Sequence, residues 1–149
     1  MYKRILVAVD GSDTSYLALS EAIKLASDGR GTIRLVHVVD LIPTYMDLEM
    51  PSQVVAYQDA MREMGRKLLS DGRAITEKSG IPTEAELRVI EMPGEHVYDA
   101  IADEATRWPA DIIVVGTHGR RGIRRFILGS VAEGVIRVAT TPVLLVRGK

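Results

Sequence analysis

The sequence predicts one α/β domain built on a doubly wound, five-stranded parallel sheet flanked by helices. Aliphatic runs without polar alternation, such as Ile5 to Val9 and Ile112 to Val115, are typical of strands that are buried on both faces. Helical segments separate these runs, and they are long enough to connect parallel strands by right-handed crossovers. At 149 residues, with no repeat or linker, the chain suits a single domain over residues 1–149 with one hydrophobic core.

The first two strands are predicted on either side of a helix. The run from Ile5 to Val9 is strand one, and the run from Ile33 to Val39 is strand two. Between them apolar residues recur at helical spacing, and either Ser12 or Asp13 can cap the start of that helix. The segment from Asp40 to Pro51 lacks periodicity, so both a flap and a partner surface fit it.

A second helix is predicted from Ser52 to Ser79. Its apolar residues fall three, four and seven positions apart, and two glycines lie on the same side. We expect the methionines of this face to fill gaps in the core and the glycines to allow close packing on the sheet. The face comprises Met61, Met64, Gly65, Leu68, Gly72 and Ile75. The alternation from Thr83 to Glu91 then predicts an exposed edge strand.

In the last third of the chain, the sequence predicts two more strands, each preceded by a helix. One helix opens at Pro93 to Glu95 and closes at Trp108 to Pro109. Strand four spans Ile112 to Val115, the last helix runs from about Ser130 to Ala139, and strand five spans Val143 to Val146.

The loop after strand four has the features of an anion site. Strand four stops at Gly116, an arginine-rich loop follows, and Ser130 with Glu133 matches the S-x-x-E capping box. We therefore expect Ser130 to cap the last helix and to leave free N–H groups there, which attract an anion such as phosphate by roughly 0.3 to 1 kcal/mol. Doubly wound sheets bind ligands where the strand order reverses, so Asp10 and Gly116 would face one crevice if strands one and four are neighbours.

Composition narrows the classes of function. A formal net charge of −1 argues against a general nucleic-acid binder, and the lack of cysteine removes disulfides, thiolate metal sites and cysteine nucleophiles. No apolar run approaches the ~20 residues that a membrane helix needs. We therefore expect a soluble, cytoplasmic protein without a membrane or nucleic-acid partner.

A glycine motif follows strand four in the order Gly116-x2-Gly119-x9-Gly129-Ser130. This spacing resembles the complete G-x2-G-x9-G-[ST] signature of the universal stress proteins, in particular their nucleotide-binding branch. The first strand and its turn, the stretch from His37 to Asp40 and the closing Thr141 to Val146 also resemble that family, so the resemblance covers nearly the whole chain.

The resemblance implies a Rossmann-like fold of the adenine nucleotide alpha hydrolase type, with strand order 3-2-1-4-5. It also implies an ATP site between strands one and four, with AMP or ADP as alternative nucleotides and Mg²⁺ as the accompanying metal. The residues that match the adenine and ribose positions are Ala8, Val9, Asp10 and Val38, the last through its backbone. Those that match the phosphate positions are Val115, Gly116, His118, Gly119, Gly129, Ser130 and Val131. Homodimer formation through Val143 to Val146 is the mode common in the family.

Several side chains also admit simpler roles. Asp10 can cap a turn as well as accept a hydrogen bond from a ribose hydroxyl. We expect His118 to position the loop or to act through its backbone rather than as an acid or base, and His37 to be a core residue. The arginines of the loop are either a solvated surface or charge compensation for a triphosphate, since the P-loop lysine is absent. They are Arg120, Arg121, Arg124 and Arg125.

The expected function is that of an ATP-binding stress or regulatory protein with slow or no hydrolysis and an unknown protein partner. Fast phosphoryl transfer needs a bound metal, an oriented nucleophile and cationic stabilisation, and the sequence does not assemble that set. The alternative is an adenylate-forming or ATP-hydrolysing enzyme, because the stretch from Asp10 to Ser15 is similar to an S-G-G-x-D-S loop without its paired glycines. A ligand-free interaction module is a third possibility, which the complete glycine motif disfavours.

Overall fold

The computed structural model describes residues 1–42, 51–118 and 128–148. Strands and helices alternate along these residues, because buried aliphatic runs and amphipathic segments follow one another in the sequence. The elements are β1 (Arg4–Ala8), α1 (Asp13–Gly29), β2 (Thr32–Asp40), α2 (Pro51–Lys78), β3 (Thr83–Ile90), α3 (Val97–Arg107), β4 (Ile112–Gly116), α4 (Ser130–Val138) and β5 (Val143–Val146).

The five strands form one parallel sheet with the order β3-β2-β1-β4-β5. Because β1 pairs with β2 on one side and with β4 on the other, the strand order reverses between β1 and β4. The predicted fold class, the strand order and the edge position of β3 are therefore confirmed.

Helices cover both faces of the sheet, and the strands alternate between two apolar clusters. Val7 and Leu35 belong to the cluster beneath α1 and α2. Leu6, Val36 and Ile113 belong to the cluster beneath α3 and α4. Each central strand is therefore buried on both faces, which explains why its sequence shows no polar alternation.

The face that α2 turns toward the sheet differs from the predicted one. Met64 is 52% exposed and Ile75 is 39% exposed, so the expectation that this stripe fills the core is wrong for both residues. The buried stripe of the helix consists of Gly65, Leu69, Gly72 and Thr76. The prediction for the glycines is confirmed: a Cβ at Gly65 would lie 2.6 Å from a methyl of Leu87 and 2.8 Å from the His37 ring.

The start of α3 also differs, since it lies at Val97 rather than at Pro93 to Glu95. The N–H of His96, the residue before the helix, donates to the Asp99 carboxylate at 3.0 Å, and this bond fixes the first turn. The predicted end is confirmed, because the helix stops at Arg107 directly before Trp108.

A buried carboxylate attaches α3 to the sheet. Glu104 is 2% exposed, and its two oxygens accept hydrogen bonds from Arg34 Nη1 at 2.7 Å and from Arg88 Nη1 at 3.0 Å. Burial lowers the pKa of Arg34, but its hydrogen bonds to Glu84 and Glu104 outweigh this effect and leave that pKa raised. The cluster therefore consists of charged groups that satisfy one another at the β2–β3 side of the sheet.

Candidate functional site

The reversal of strand order brings the turn after β1 close to the turn after β4. Val7 lies opposite Val114 in the β1–β4 pair, and Ala8 lies opposite Val36 in the β1–β2 pair. The backbone N–H of Val9 also donates to the Val36 carbonyl at 2.9 Å, which carries the pairing past the end of β1. The carboxyl ends of three neighbouring strands therefore lie side by side at one edge of the sheet, and the predicted adjacency of strands one and four is confirmed.

Three of the predicted site residues form an apolar surface at this edge. Ala8, Val38 and Val115 all pack in the cluster beneath α3 and α4, together with Leu128 and Ala132 from the start of α4. Ala8 and Val38 are half-buried, so the surface is partly open at these two residues, whereas Val115 is only 3% exposed.

Val9 lies at the same edge, but its side chain points to the opposite face of the sheet. It is 6% exposed and packs in the cluster beneath α1 and α2. Its carbonyl contacts His37 Nδ1 at 2.7 Å, which identifies Nδ1 as the protonated nitrogen of that ring. His37 is half-buried and packs between the sheet and Gly65 of α2.

Asp10 is oriented by the turn that follows it. Its Oδ1 accepts hydrogen bonds from the Ser12 N–H at 2.9 Å and from the Ser12 hydroxyl at 2.5 Å. Gly11 has φ of 81°, a left-handed conformation that glycine adopts without steric cost. Ser12 also caps α1, because its Oγ accepts from the Ser15 N–H at 3.2 Å. Ser12, not Asp13, is therefore the cap of this helix.

The first turn of α1 contacts the end of β4 directly. The Thr14 hydroxyl donates to the His118 carbonyl. A Cβ at Gly116 would lie 2.7 Å from Thr14 Oγ1 and 2.8 Å from the Thr14 carbonyl carbon. The sequence suggested that Gly116 lets a ligand approach, but the space beside its Cα is filled by Thr14 of the same chain.

His118 is held by its neighbours on two sides. Its Nδ1 lies 3.0 Å from the Thr117 hydroxyl, and its carbonyl accepts from Thr14. Its Nε2 is buried and has no hydrogen-bond partner among residues 1–42, 51–118 and 128–148. The backbone role expected for His118 thus has a structural counterpart in the Thr14 contact.

The helix after the glycine motif begins at Ser130, but Ser130 is not its cap. Gly129 occupies the cap position with an extended backbone, and its carbonyl accepts from the Glu133 N–H at 2.9 Å. The predicted S-x-x-E capping box is therefore wrong by one position, because Ser130 is already the first helical residue.

The N-terminus of α4 still presents unpaired donors. The N–H of Gly129 donates to the Thr117 carbonyl at 2.7 Å, and this bond joins the two ends of the loop. The backbone N–H groups of Ser130, Val131 and Ala132 have no acceptor in the described part of the chain. These three groups, with the partial positive charge of the helix end, form a site suited to an anion.

Some predicted residues lie outside the described ranges. They are Gly119, Gly122 and the arginines Arg120, Arg121, Arg124 and Arg125, together with residues 43–50 of the Asp40 to Pro51 segment. Among the residues that are described, no group of three or more His, Asp and Glu side chains is placed to hold a metal ion. Within the same ranges, no helix combines the length and the apolar character that crossing a membrane requires.

Three residues that shape the site were not predicted as site residues from the sequence. The first is Ser12, which donates to Asp10, and the other two are Thr14 and Thr117. Ser12 and Asp10 are two positions apart, a spacing typical of an Asx turn, so the sequence carried a local signal for that pair. Thr14 and His118 are 104 residues apart, so only the strand order reveals their contact.

Comparison with known proteins agrees with this architecture. Residues 1–147 match the model of the universal stress protein family. A universal stress protein of Methanocaldococcus jannaschii is 33% identical over 147 residues, which cover 99% of this chain and 83% of that relative.

Two solved structures extend the comparison. A universal stress protein family member from Burkholderia pseudomallei is 34% identical, with a TM-score of 0.77 and coverage of 97% of this chain and 96% of the other. The universal stress protein from Archaeoglobus fulgidus in complex with dAMP is 29% identical, with a TM-score of 0.71 and coverage of 97% and 98%. The resemblance drawn from the glycine motif is confirmed, and the chain belongs to the universal stress protein family.

Proposed function

We propose that this protein binds ATP in the crevice between β1 and β4 and acts as a nucleotide-dependent regulatory protein in a stress response. The observation that carries the proposal is the meeting of three features at the point where the strand order reverses: an apolar surface, an oriented carboxylate, and a helix N-terminus whose first N–H groups have no acceptor among the described residues. AMP and ADP share the adenosine part and are alternative ligands of the same site.

The apolar surface supports a place for the adenine ring. Ala8 and Val38 offer aliphatic contact to a flat ring, and the backbone of Val38 is proposed to meet the adenine edge. Asp10 is proposed to accept hydrogen bonds from the ribose hydroxyls, since Ser12 fixes the direction of its carboxylate.

The start of α4 supports a place for the phosphates. The N–H groups of Ser130 and Val131 can donate to phosphate oxygens, and the helix dipole adds to their attraction. Gly129 contributes as the cap of α4, which leaves these N–H groups available to phosphate. Its own N–H does not contribute, because it donates to the Thr117 carbonyl. Gly119 is part of the proposed site only because it belongs to the glycine motif.

We propose that Mg²⁺ accompanies the triphosphate of bound ATP. This ion is usually held by phosphate oxygens and one or two carboxylates while it keeps several waters. The bound dAMP of the Archaeoglobus fulgidus protein supports an adenine nucleotide as the ligand class.

Binding with little or slow hydrolysis is the activity we propose. His118 directs its carbonyl to Thr14, and its Nδ1 lies beside Thr117, so these groups position the loop. Hydrolysis at many turnovers per minute that depends on Asp10 or His118 would instead favour the enzyme alternative. A cysteine-free sequence fits a reducing compartment and supports a cytoplasmic location.

We also propose a homodimer through β5. This strand pairs with β4 on one side, and its four residues, Val143–Val146, are all half-buried. Ile136 and Val138 of the adjoining α4 are exposed, which extends the apolar edge. Light scattering should give twice the monomer mass for the wild type and the monomer mass for an Ile136→Glu, Val138→Glu variant. A monomeric wild type at micromolar concentration contradicts the dimer.

The nucleotide proposal is tested by the ligand that the protein retains. Purified protein is denatured, and the released small molecules are identified by mass spectrometry; we expect adenine nucleotide. Addition of ATP and Mg²⁺ to ligand-free protein should also raise its melting temperature, because a ligand that binds only the folded state stabilises it. If no adenine nucleotide is released and ATP leaves the melting temperature unchanged, the proposal fails.

A further inference from the structure

Thr14 lies in the first turn of α1, between the turn that holds Asp10 and the entry to the loop after β4. We propose that Thr14 is a positioning residue that fixes this loop entry, so that the phosphate affinity of the site depends on its hydroxyl. The inference rests on the proposed function and adds to it a residue that the glycine motif does not contain.

The hydroxyl of Thr14 joins α1 to the loop entry. It donates to the His118 carbonyl, and Thr14 Oγ1 also lies 3.4 Å from the Ser12 hydroxyl. Ser12 in turn donates to Asp10. The proposed ribose carboxylate and the start of the proposed phosphate loop thus each accept from one of two neighbouring hydroxyls at the same helix end.

Two consecutive carbonyls at the loop entry are held by two different helices. The Thr117 carbonyl accepts from the Gly129 N–H at the start of α4, at 2.7 Å. The His118 carbonyl accepts from Thr14 at the start of α1. Because a peptide group with a fixed carbonyl cannot rotate freely, this pair of bonds sets the direction in which the chain leaves β4.

The side chain of Thr14 is held in place by packing. It lies so close to Gly116 that a Cβ there would be 2.7 Å from Thr14 Oγ1. Thr14 is half-buried, so its hydroxyl reaches His118 from a defined position.

The hydroxyl of Thr14 is not required for capping of its own helix. Ser12 is the N-cap of α1 and accepts from the Ser15 N–H, while the Ser15 hydroxyl donates to the Ser12 carbonyl at 2.9 Å. These bonds form the cap of α1 without the Thr14 hydroxyl. The bond from Thr14 across to β4 therefore serves the loop rather than the helix.

The test compares Thr14→Val, which keeps the shape and removes the hydroxyl, with Thr14→Ser, which keeps the hydroxyl. The matched control is Ser20→Ala, which removes an exposed hydroxyl that donates to the Tyr16 carbonyl within the same helix at 3.0 Å. Affinities for ATP with Mg²⁺ are measured by calorimetry, and affinities for adenosine by competition. We expect Thr14→Val to weaken ATP binding about tenfold and adenosine binding by less than about twofold, since the loss falls on the phosphate part. Thr14→Ser and Ser20→Ala should bind both ligands like the wild type.

Three results would overturn the inference: wild-type ATP affinity in Thr14→Val, equal losses of ATP and adenosine in that variant, or no rescue by Thr14→Ser. A second measurement needs no nucleotide. In ligand-free protein, amide hydrogen exchange of the peptide containing Thr117 and His118 should be faster in Thr14→Val than in the wild type, Thr14→Ser or Ser20→Ala. If the wild type binds no nucleotide, the proposed function is contradicted. If amide hydrogen exchange in Thr14→Val is the same as in the wild type, the positioning role of Thr14 is contradicted.

Discussion

Gly116 has no space for a side chain because the first turn of α1 lies against it. A Cβ there would lie within 2.8 Å of backbone atoms of Thr14, which belong to a helix and cannot move aside easily. This glycine of the motif is therefore needed for the contact between α1 and β4. The same contact brings the Asp10 turn and the His118 carbonyl together. The close packing at Gly116 and the arrangement of the proposed site therefore both depend on the contact between α1 and β4.

Replacement of Gly116 by alanine should therefore destabilise the fold. We expect a loss of about 1 to 3 kcal/mol in the free energy of unfolding, the usual cost of forcing a methyl group into a packed site. Urea denaturation of both proteins gives the measurement. Gly148→Ala is the matched control, because its Cβ would lie at 3.4 Å from Thr14 Cγ2, an ordinary contact. Equal stability of Gly116→Ala and the wild type would contradict this account of Gly116.

At the residue scale, the sequence could identify groups whose role depends on near neighbours. Asp10 followed by Gly11 and Ser12 predicts a turn, and the S-x-x-E pattern of Ser130 and Glu133 predicts a helix start at Ser130. The cap of that helix was displaced by one position because Gly129 can also adopt an extended cap conformation. Thr14 could not be identified, since its partner is 104 residues away and no local pattern records that distance.

At the scale of elements, α2 and α3 are held to the sheet in different ways. Two buried glycines let α2 approach β2 and β3 closely, whereas α3 combines apolar packing with the buried carboxylate of Glu104. Periodicity predicted where both helices lie in the chain. It identified both glycines of the stripe of α2 that faces the sheet, but it also assigned Met64 and Ile75 to that stripe, and both of these are exposed.

Removal of the Glu104 carboxylate should cost far more than removal of a nearby exposed one. Glu104→Ala leaves Arg34 and Arg88 without their shared buried partner, and we expect a loss of about 3 kcal/mol in unfolding free energy. Asp103→Ala removes another acceptor of Arg88, at 2.8 Å but exposed, and should cost less than about 1 kcal/mol. Thermal and urea unfolding measure the loss of stability in each variant. Similar losses for both variants would show that Glu104 does not anchor α3.

At the scale of the whole molecule, the sheet has polar contacts at both ends of its central strands. At the amino end, Asp111 accepts hydrogen bonds from the N–H groups of Arg4 and Lys3, each at 2.8 Å, and so joins the start of β1 to β4. At the carboxyl end, Thr14 and His118 join the same two regions. The strand pair that borders the proposed site is thus connected at both of its ends.

The Asp111 contact predicts a pH dependence of stability. The N–H donors of Arg4 and then Lys3 hold the pKa of Asp111 below its ordinary value of 3.8. A carboxyl group with a lowered folded-state pKa stabilises the fold fully above its unfolded pKa, and that contribution disappears as the pH falls through the folded pKa. The stability difference between wild type and Asp111→Asn should therefore be constant near neutral pH and shrink below about pH 4.

Urea unfolding at a series of pH values measures this difference. Asp28→Asn, at an exposed position of α1, provides a control for the loss of one negative charge. A difference between wild type and Asp111→Asn that persists undiminished well below the ordinary pKa of aspartate would contradict the role of Asp111.

The overall architecture was predictable because β1 and β4 carry continuous apolar runs, β3 carries an alternating pattern, and the crossovers carry helical spacing. The strand order came from the glycine motif and the resemblance that it supports. The tertiary contacts that complete the site did not follow from either, since Thr14, Thr117 and Gly129 meet only after the strands are in place.

The central claim is that adenine nucleotide binds between β1 and β4 with its phosphates at the start of α4. Isothermal titration with ATP and Mg²⁺ tests it most directly when the wild type is compared with Ser130→Glu. A carboxylate in the first turn favours the helix by roughly 0.3 to 1 kcal/mol, so the fold should be retained, while its charge repels phosphate at the same N–H groups. The control is Ser20→Glu, which adds the same charge at an exposed position of α1. We predict one ATP per chain for the wild type and Ser20→Glu, and an affinity at least about tenfold lower for Ser130→Glu. A wild type that binds no ATP, or a Ser130→Glu variant that binds it as tightly as the wild type, would contradict the account.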